Sequence, residues 1–183
     1  MKEFIYPEMM VHVPMCTHKE PQNIIVISEN VTALSTELER YRDISVKVLS
    51  ASNALEGLRE AGDDSADLIL CEVDVDAAVA AHLNRVLNSE GLVVMKHPSL
   101  DDIQENTVLM QVLGNYCSII MPYQIGNGET LLLASKAYHP TADIILQRAD
   151  LLEGLQYYNS DIHPAAFAMP NYIRKQYLGV IRN

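Results

Sequence analysis

Five short segments carry side chains whose types could do chemistry. In Glu72-Val73-Asp74-Val75-Asp76, three carboxylates stand at i, i+2 and i+4. An extended backbone would put them on one face. Their mutual repulsion would raise at least one pKa and could poise a general base. The same acids could hold an amine cation. In a loop, Asp74 or Asp76 would instead cap the helix that starts at Ala77. Lys96-His97-Pro98 offers a cation for those acids, a site for an anionic group, or simply a solvated lysine. Tyr123 could line a pocket with its aromatic face or pack in the core. Ser28-Glu29-Asn30-Val31-Thr32-Ala33 and Asn53-Ala54 follow two apolar runs and are candidate nucleoside contacts. A nucleoside-binding turn normally uses glycine for close backbone approach, and the first of these has none. Glu29 adds negative charge beside a helix start, where the macrodipole favours it. Asn53 could bond an adenine edge or cap a helix.

Elements must position these residues. Asn23–Ile27, Ser45–Leu49, residues 67–72 and residues 92–95 are short apolar runs without alternation. Such runs predict strands buried on both faces of a parallel sheet. Helices are predicted between them. One starts at Asn30 or Thr32 with Leu34, Leu38 and Tyr41 on one face. One starts at Asn53 with Ala54, Leu55 and Leu58 and is closed by Gly62. One runs from Ala77 to Leu87, with Gly91 just beyond it. A lead-in helix carries Pro7 in its first turn, and Pro14 ends or kinks it. After a helix at Ile103–Leu113, residues 116–121 and Thr130–Ser135 flank Gly126-Asn127-Gly128, which predicts a hairpin. The result is an α/β chain whose mostly parallel sheet ends in an antiparallel hairpin, the layout of nucleoside-binding, methyltransferase-like folds. Ligands of such sheets sit at the carboxyl ends of the strands near the switch point, where the candidate segments fall.

The 183 residues fit a single domain, 1–183. A composition of 49% apolar and 20% charged residues fits a globule with a full core. The net charge of −11 argues against a nucleic-acid or anionic membrane surface, since both repel an acidic protein. No apolar run approaches the ~20 residues of a membrane span. Met1-Lys2-Glu3-Phe4 opens no signal peptide pattern. Cys16, Cys71 and Cys117 have no metal-site spacing and are expected to be reduced thiols in a cytoplasmic protein, with no metal bound.

Two segments go beyond pattern. Glu3-Phe4-Ile5-Tyr6-Pro7-Glu8-Met9-Met10, continuing through His12-Val13-Pro14-Met15-Cys16 and His18 to Pro21, resembles the entry to the catalytic domain of spermidine synthases. Tyr157-Tyr158-Asn159-Ser160-Asp161-Ile162-His163-Pro164-Ala165-Ala166-Phe167-Ala168-Met169-Pro170 resembles their C-terminal signature, in which Ala165, Ala166 and Phe167 would pack a helix. The Lys-His-Pro segment resembles divergent spermidine synthases of epsilon-class bacteria.

The resemblance implies a Rossmann-like, S-adenosylmethionine-methyltransferase-like sheet, one βα unit short and lacking the small N-terminal β domain. It implies polyamine metabolism, with an aminopropyl group passing from decarboxylated S-adenosylmethionine to putrescine. Glu72 falls at the catalytic aspartate, which takes a proton from the attacking amine. Tyr6 and Tyr123 match tyrosines of the putrescine pocket, and Asp74 and Asp76 would stand beside the amine. Ser28, Glu29 and Asn30 replace the family's glycine-rich cofactor loop, and Asn53 and Ala54 replace the Asp-Gly pair that reads adenine. The gate Asp-Ser-Ser-Asp has become Glu72-Val73-Asp74-Val75. The acid that holds the ribose hydroxyls has no counterpart, and Lys96 stands where the family often has glutamine. These departures imply a degenerate cofactor site with no tightly bound cofactor, decarboxylated S-adenosylmethionine being a co-substrate only if the protein is active. Two functions follow: a pseudoenzyme that binds a polyamine or joins a full-length synthase, and an active divergent aminopropyltransferase. A homodimer is expected in either case.

Overall fold

The computed structural model describes residues 2–183. Met1, where the signal-peptide reading began, lies outside them. The chain opens with α1 (Ile5–Met15) and then alternates β1 (Asn23–Ile27), α2 (Thr32–Leu38), β2 (Ser45–Leu49), α3 (Ala54–Glu60), β3 (Ala66–Cys71), α4 (Ala77–Val86), β4 (Leu87–His97) and α5 (Ile103–Leu113). The hairpin β5 (Ile119–Gln124) and β6 (Thr130–Ser135) follows, then the short helices α6 (Leu146–Asp150), α7 (Ile162–Ala165) and α8 (Asn171–Gln176). The six strands form one sheet in the order β2-β1-β3-β4-β6-β5. The first four in that order are parallel, while β6 runs antiparallel to both β4 and β5. The fold is therefore the mixed α/β, methyltransferase-like layout expected from the sequence.

The solid apolar runs are explained by the two faces of the sheet. Ile25, Ile27, Ile69, Cys71, Val93 and Met95 point to the face covered by α3, α4 and α5. Their neighbours Ile24, Val26, Leu68, Leu70, Leu92 and Val94 point to the face covered by α1, α2 and the C-terminal segment. Both parities must be apolar because both faces are covered. The hairpin turn spans Ile125 to Glu129, with Gly128 N–H donating to the Ile125 carbonyl at 3.1 Å. Gly128 has φ +92°, the left-handed geometry that closes a type I turn with a bulge.

Several expectations are corrected. β2 is an edge strand, not a doubly buried one: only Leu49 of its five residues is buried. Among the described residues it has β1 on one side and no strand on the other. β4 starts at Leu87, directly after α4, so Gly91 lies inside the strand. β5 starts at Ile119 because Tyr116 and Cys117 still donate to the carbonyl of Leu113, closing α5. Pro14 stands in the last turn of α1, one residue before its end at Met15. Neither Asn30 nor Thr32 caps α2, whose N-cap is Val31. Asn53 takes the N-cap position of α3 without a side-chain cap bond. Ala165 is exposed, while Ala166 and Phe167 are buried as expected.

Candidate functional site

The carboxyl ends of the parallel strands converge on one cleft because the ladder runs past the strand ends. Ser28 N–H donates to the Leu49 carbonyl at 3.1 Å, and Glu72 N–H donates to the Ile27 carbonyl at 2.9 Å. This sets Ser28, after β1, beside Glu72, after β3, at the point where the strand order reverses. From the other side, α1 brings Tyr6 over them. The Tyr6 hydroxyl donates to Glu72 Oε1 at 2.7 Å. The Ser28 hydroxyl donates to Glu72 Oε2 and also accepts the Asn30 N–H at 3.0 Å. Both carboxylate oxygens are thus held by hydroxyl groups. Burial, and then the Glu72 charge, push the Tyr6 phenol far above its ordinary pKa, so it stays a proton donor.

The cleft has a volume of about 360 Å³ and is lined by Tyr6, Ser28, Glu29, Asn30, Glu72 and Lys96, together with the apolar Ala33, Leu34 and Ala51. That size is within the range of small-molecule sites. Lys96 leaves the end of β4 with its Nζ 5.5 Å from the Tyr6 ring centroid, a cation–π geometry. Glu29 turns away toward the β2 end, where its Oε1 accepts the Ser50 hydroxyl at 2.9 Å and the Ser52 N–H. Those bonds, the Ser52 N–H first, hold its carboxyl below the usual range.

A second cleft, of about 260 Å³, adjoins the first and shares Tyr6 and Lys96 with it. It is also lined by His97, Ser99, Glu129 and Thr130. His97 is buried, and neither ring nitrogen has a hydrogen-bond partner among the described residues. Burial alone pushes this imidazole down to about 4, so it is neutral at pH 7.

Of the residues singled out in the sequence, Tyr6, Ser28, Glu29, Asn30, Ala33, Glu72 and Lys96 come together at the first cleft. The others do not. β3 ends at Cys71, so the acids after it lie in a loop and do not share one face. Asp76 is the N-cap of α4 and accepts the Val79 N–H at 2.8 Å. Asp74 is exposed and lines neither cleft. Asn53 is exposed, and Ala54 is packed in the core at the start of α3. Tyr123 is fully buried, stacked 4.8 Å from Phe167, with its hydroxyl donated to the Met9 carbonyl at 3.2 Å. It is a core residue under the site and lines neither cleft.

Sequence reading missed three things. The apolar wall at Ala33, Leu34 and Ala51 has no distinguishing residue type. Glu129 reaches the site only because the hairpin folds beside β4. Glu8 carries a readable signal, an acid among buried Met9, Met10 and Val11. Its carboxylate is buried and accepts the N–H groups of Gln156, Tyr157 and Tyr158 at 2.8–2.9 Å, tying the opening helix to the C-terminal segment. Beside it, buried His12 bonds Tyr41 at 2.7 Å and Glu37 at 2.8 Å. His163 bonds Tyr158 at 2.7 Å. The two sequence motifs therefore meet in the interior.

No protein-family model matches the chain. Curated relatives do match along its whole length. A polyamine aminopropyltransferase of Helicobacter acinonychis (strain Sheeba) is 27% identical over 95% of this chain and 78% of its own. One of Helicobacter pylori (strain G27) is 25% identical over 100% of this chain and 80% of its own. Among solved structures, spermidine synthase from Thermotoga maritima superposes with a TM-score of 0.85 at 20% identity, covering 98% of this chain and 75% of that one. The chain is similar to polyamine aminopropyltransferases along its length and has the fold of a spermidine synthase. A spermidine synthase bound to the transition state analogue AdoDATO superposes at 0.82 and 20% identity, over 95% of this chain and 74% of that one. A SAM-dependent methyltransferase of Aquifex aeolicus shares the sheet at 0.53 and 11% identity, over 74% of this chain and 92% of its own. The Helicobacter pylori alignment runs over 213 positions against 183 residues here, leaving about 30 positions of that polyamine aminopropyltransferase without a counterpart.

Proposed function

We propose that this chain is a spermidine-synthase-like, amine-binding protein of polyamine metabolism whose nucleoside side is degenerate, so that aminopropyl transfer is slow or absent. A contrast within one cleft carries the reading. On the amine side, the Glu72 carboxylate stands at the strand ends, oriented by the Tyr6 and Ser28 hydroxyls. Two accepted bonds leave lone pairs on both oxygens for an ammonium group. On the nucleoside side, the turn after β1 presents side chains instead of bare backbone. Glu29 there is committed to Ser50 and Ser52 across the β1 and β2 ends. The 30-position deficit in the alignment is about the size of one strand-and-helix unit, and the bare edge at β2 is where the sheet has room for it.

A second reading, an active aminopropyltransferase that makes spermidine from putrescine and decarboxylated S-adenosylmethionine, is favoured by the open space beside Glu72. In that reaction the amine nitrogen bonds to the carbon next to the sulfonium. The carbon–sulfur bond breaks with its electron pair going to sulfur, and Glu72 takes the proton from nitrogen.

One experiment separates the two. The purified chain is titrated calorimetrically with a panel of aliphatic amines, putrescine included, and with a decarboxylated S-adenosylmethionine analogue. Spermidine formation is assayed in parallel with Glu72→Gln. Amine binding that weakens in Glu72→Gln, with no spermidine above that control, is the expected result. Turnover that disappears in Glu72→Gln establishes the second reading instead, and a chain that binds no amine overturns both.

A further inference from the structure

The two edges of the sheet differ in how their backbone is finished. At β5 the outward N–H groups are satisfied. Ile120 N–H donates to the Arg182 carbonyl at 2.8 Å, Gln124 N–H donates to the Ala166 carbonyl at 3.0 Å, and Pro122 between them has no N–H to satisfy. At β2 the residues that bond β1 are Ser45, Lys47 and Leu49. Ser45 N–H donates to the Gln22 carbonyl at 2.7 Å, and the Leu49 carbonyl accepts the Ser28 N–H. Alternate residues of a parallel strand face its neighbour, so the N–H and C=O groups of Val46 and Val48 point away from β1. Among the described residues no strand meets them there.

The side chains of this edge are apolar as well. Val46 and Val48 are 39% and 47% exposed. They stand in register with Ile24 and Val26 of β1, on the face that α2 covers. With Leu38, Tyr41 and Ile44 they line a groove of about 440 Å³ between α2 and the strand. Ser45 and Lys47 line a different cleft, with Ala61 and Gly62. An open edge that also exposes β-branched side chains is a template for another strand.

We propose that a second copy of the chain adds its own β2 to this edge, antiparallel, about a two-fold axis at Val46. The pattern of residues 44–48 selects that partner. Read in either direction from Val46, it is apolar, polar, apolar, polar, apolar. Pairing sets Val46 against Val46, Ile44 against Val48 and Ser45 against Lys47, with no like charges opposed. The Val46 pair and the two Ile44–Val48 pairs together exchange about six backbone hydrogen bonds. An axis at Lys47 would instead oppose two lysines. The two α2 grooves merge into one apolar layer across the axis. Because β5 is sealed, the joined sheet keeps no open edge, and assembly stops at two copies. The inference is independent of the amine reading, since none of residues 44–48 lines either cleft beside Tyr6.

Sedimentation equilibrium of the full chain at neutral pH, over a micromolar concentration series, tests it. A dimer is the expected mass. Val46→Lys puts two cations on the axis and should weaken the dimer at least tenfold. The side chain is exposed, so the urea midpoint should stay close to that of the native chain. Val46→Cys tests the register. Cys16, Cys71 and Cys117 are buried, so the introduced thiols are the accessible ones. With glutathione disulfide as oxidant, the two thiols should join in a disulfide as the glutathione is reduced, giving a covalent dimer on a non-reducing gel. Lys47→Cys should give none. A native chain that is monomeric throughout the series overturns the inference. So does a dimer that Val46→Lys leaves intact, or one that crosslinks through Lys47→Cys and not through Val46→Cys.

Discussion

Two carboxylates, Glu8 and Glu72, belong to different regions and are held in different ways. Glu8 lies inside the face covered by α1 and accepts three backbone N–H groups from the C-terminal segment. Glu72 lies in an open cleft and accepts two side-chain hydroxyls, from Tyr6 and Ser28. Backbone donors cannot turn away unless the chain itself moves, so Glu8 is a structural clamp. Hydroxyl donors rotate about a single bond and can yield to an incoming ammonium, so Glu72 remains available to a ligand. Donor type separates the two roles more cleanly than charge or residue identity does.

The largest effect that would break this comparison is at the clamp. Glu8→Ala leaves three buried N–H groups without an acceptor and should destabilise the fold by about 3–5 kcal/mol in urea unfolding. A loss comparable to that of a surface mutation would place Glu8 outside the framework.

Acid should act on the same interior. Burial lowers the His12 pKa and pushes His163 and His97 down to about 4, against an ordinary value of 6.5. The unfolded chain therefore binds more protons at mildly acid pH. The stability from these neutral histidines is complete above 6.5 and is lost as the pH falls from 6.5 through 4. Each 2.5-unit difference corresponds to ~3 kcal/mol by pH 4. Urea midpoints measured from pH 7 to pH 4 should fall accordingly. His163→Gln should flatten the slope without altering amine binding.

At the cleft the order of effects reverses. Glu72→Gln should weaken amine binding about tenfold, or ~1.4 kcal/mol, with the urea midpoint close to that of the native chain. Tyr6→Phe should give a smaller loss in the same titration, because Ser28 still orients the carboxylate. The smallest effect is expected at Glu29→Ala, which removes an exposed acid and should leave both the midpoint and the amine affinity unchanged. A loss of amine affinity there would extend the amine site to the β2 end.

The fold was largely legible in the sequence. The helix at Ile103–Leu113 and the strands at Asn23–Ile27, Ser45–Leu49 and Thr130–Ser135 stand where the apolar runs placed them. A stretch that buries both parities of side chain can hardly be anything but an inner strand, as β1 shows. β2 looks the same in sequence but lies at the edge, because a neighbouring strand is a property of the assembled sheet. At the candidate site, Glu72, Ser28 and Tyr6 were legible through their places after strands and within a motif. Asp76 and Asp74 were ambiguous for a local reason. An acid just after a strand serves a cap or a site equally well until the backbone turns, and here it turns after Cys71.

By itself, then, the sequence determined the alternation of elements, the two apolar faces and the likeness to spermidine synthases, because hydrophobic period and motif spacing are local properties of the chain. Tertiary structure alone decided that Tyr123 belongs to the core, that Glu129 lines a cleft with Lys96 and Tyr6, and that Glu8 joins the first helix to the last segment. Each of those contacts closes a long loop of chain. Its partner is chosen by how the sheet and hairpin pack, which no local pattern encodes.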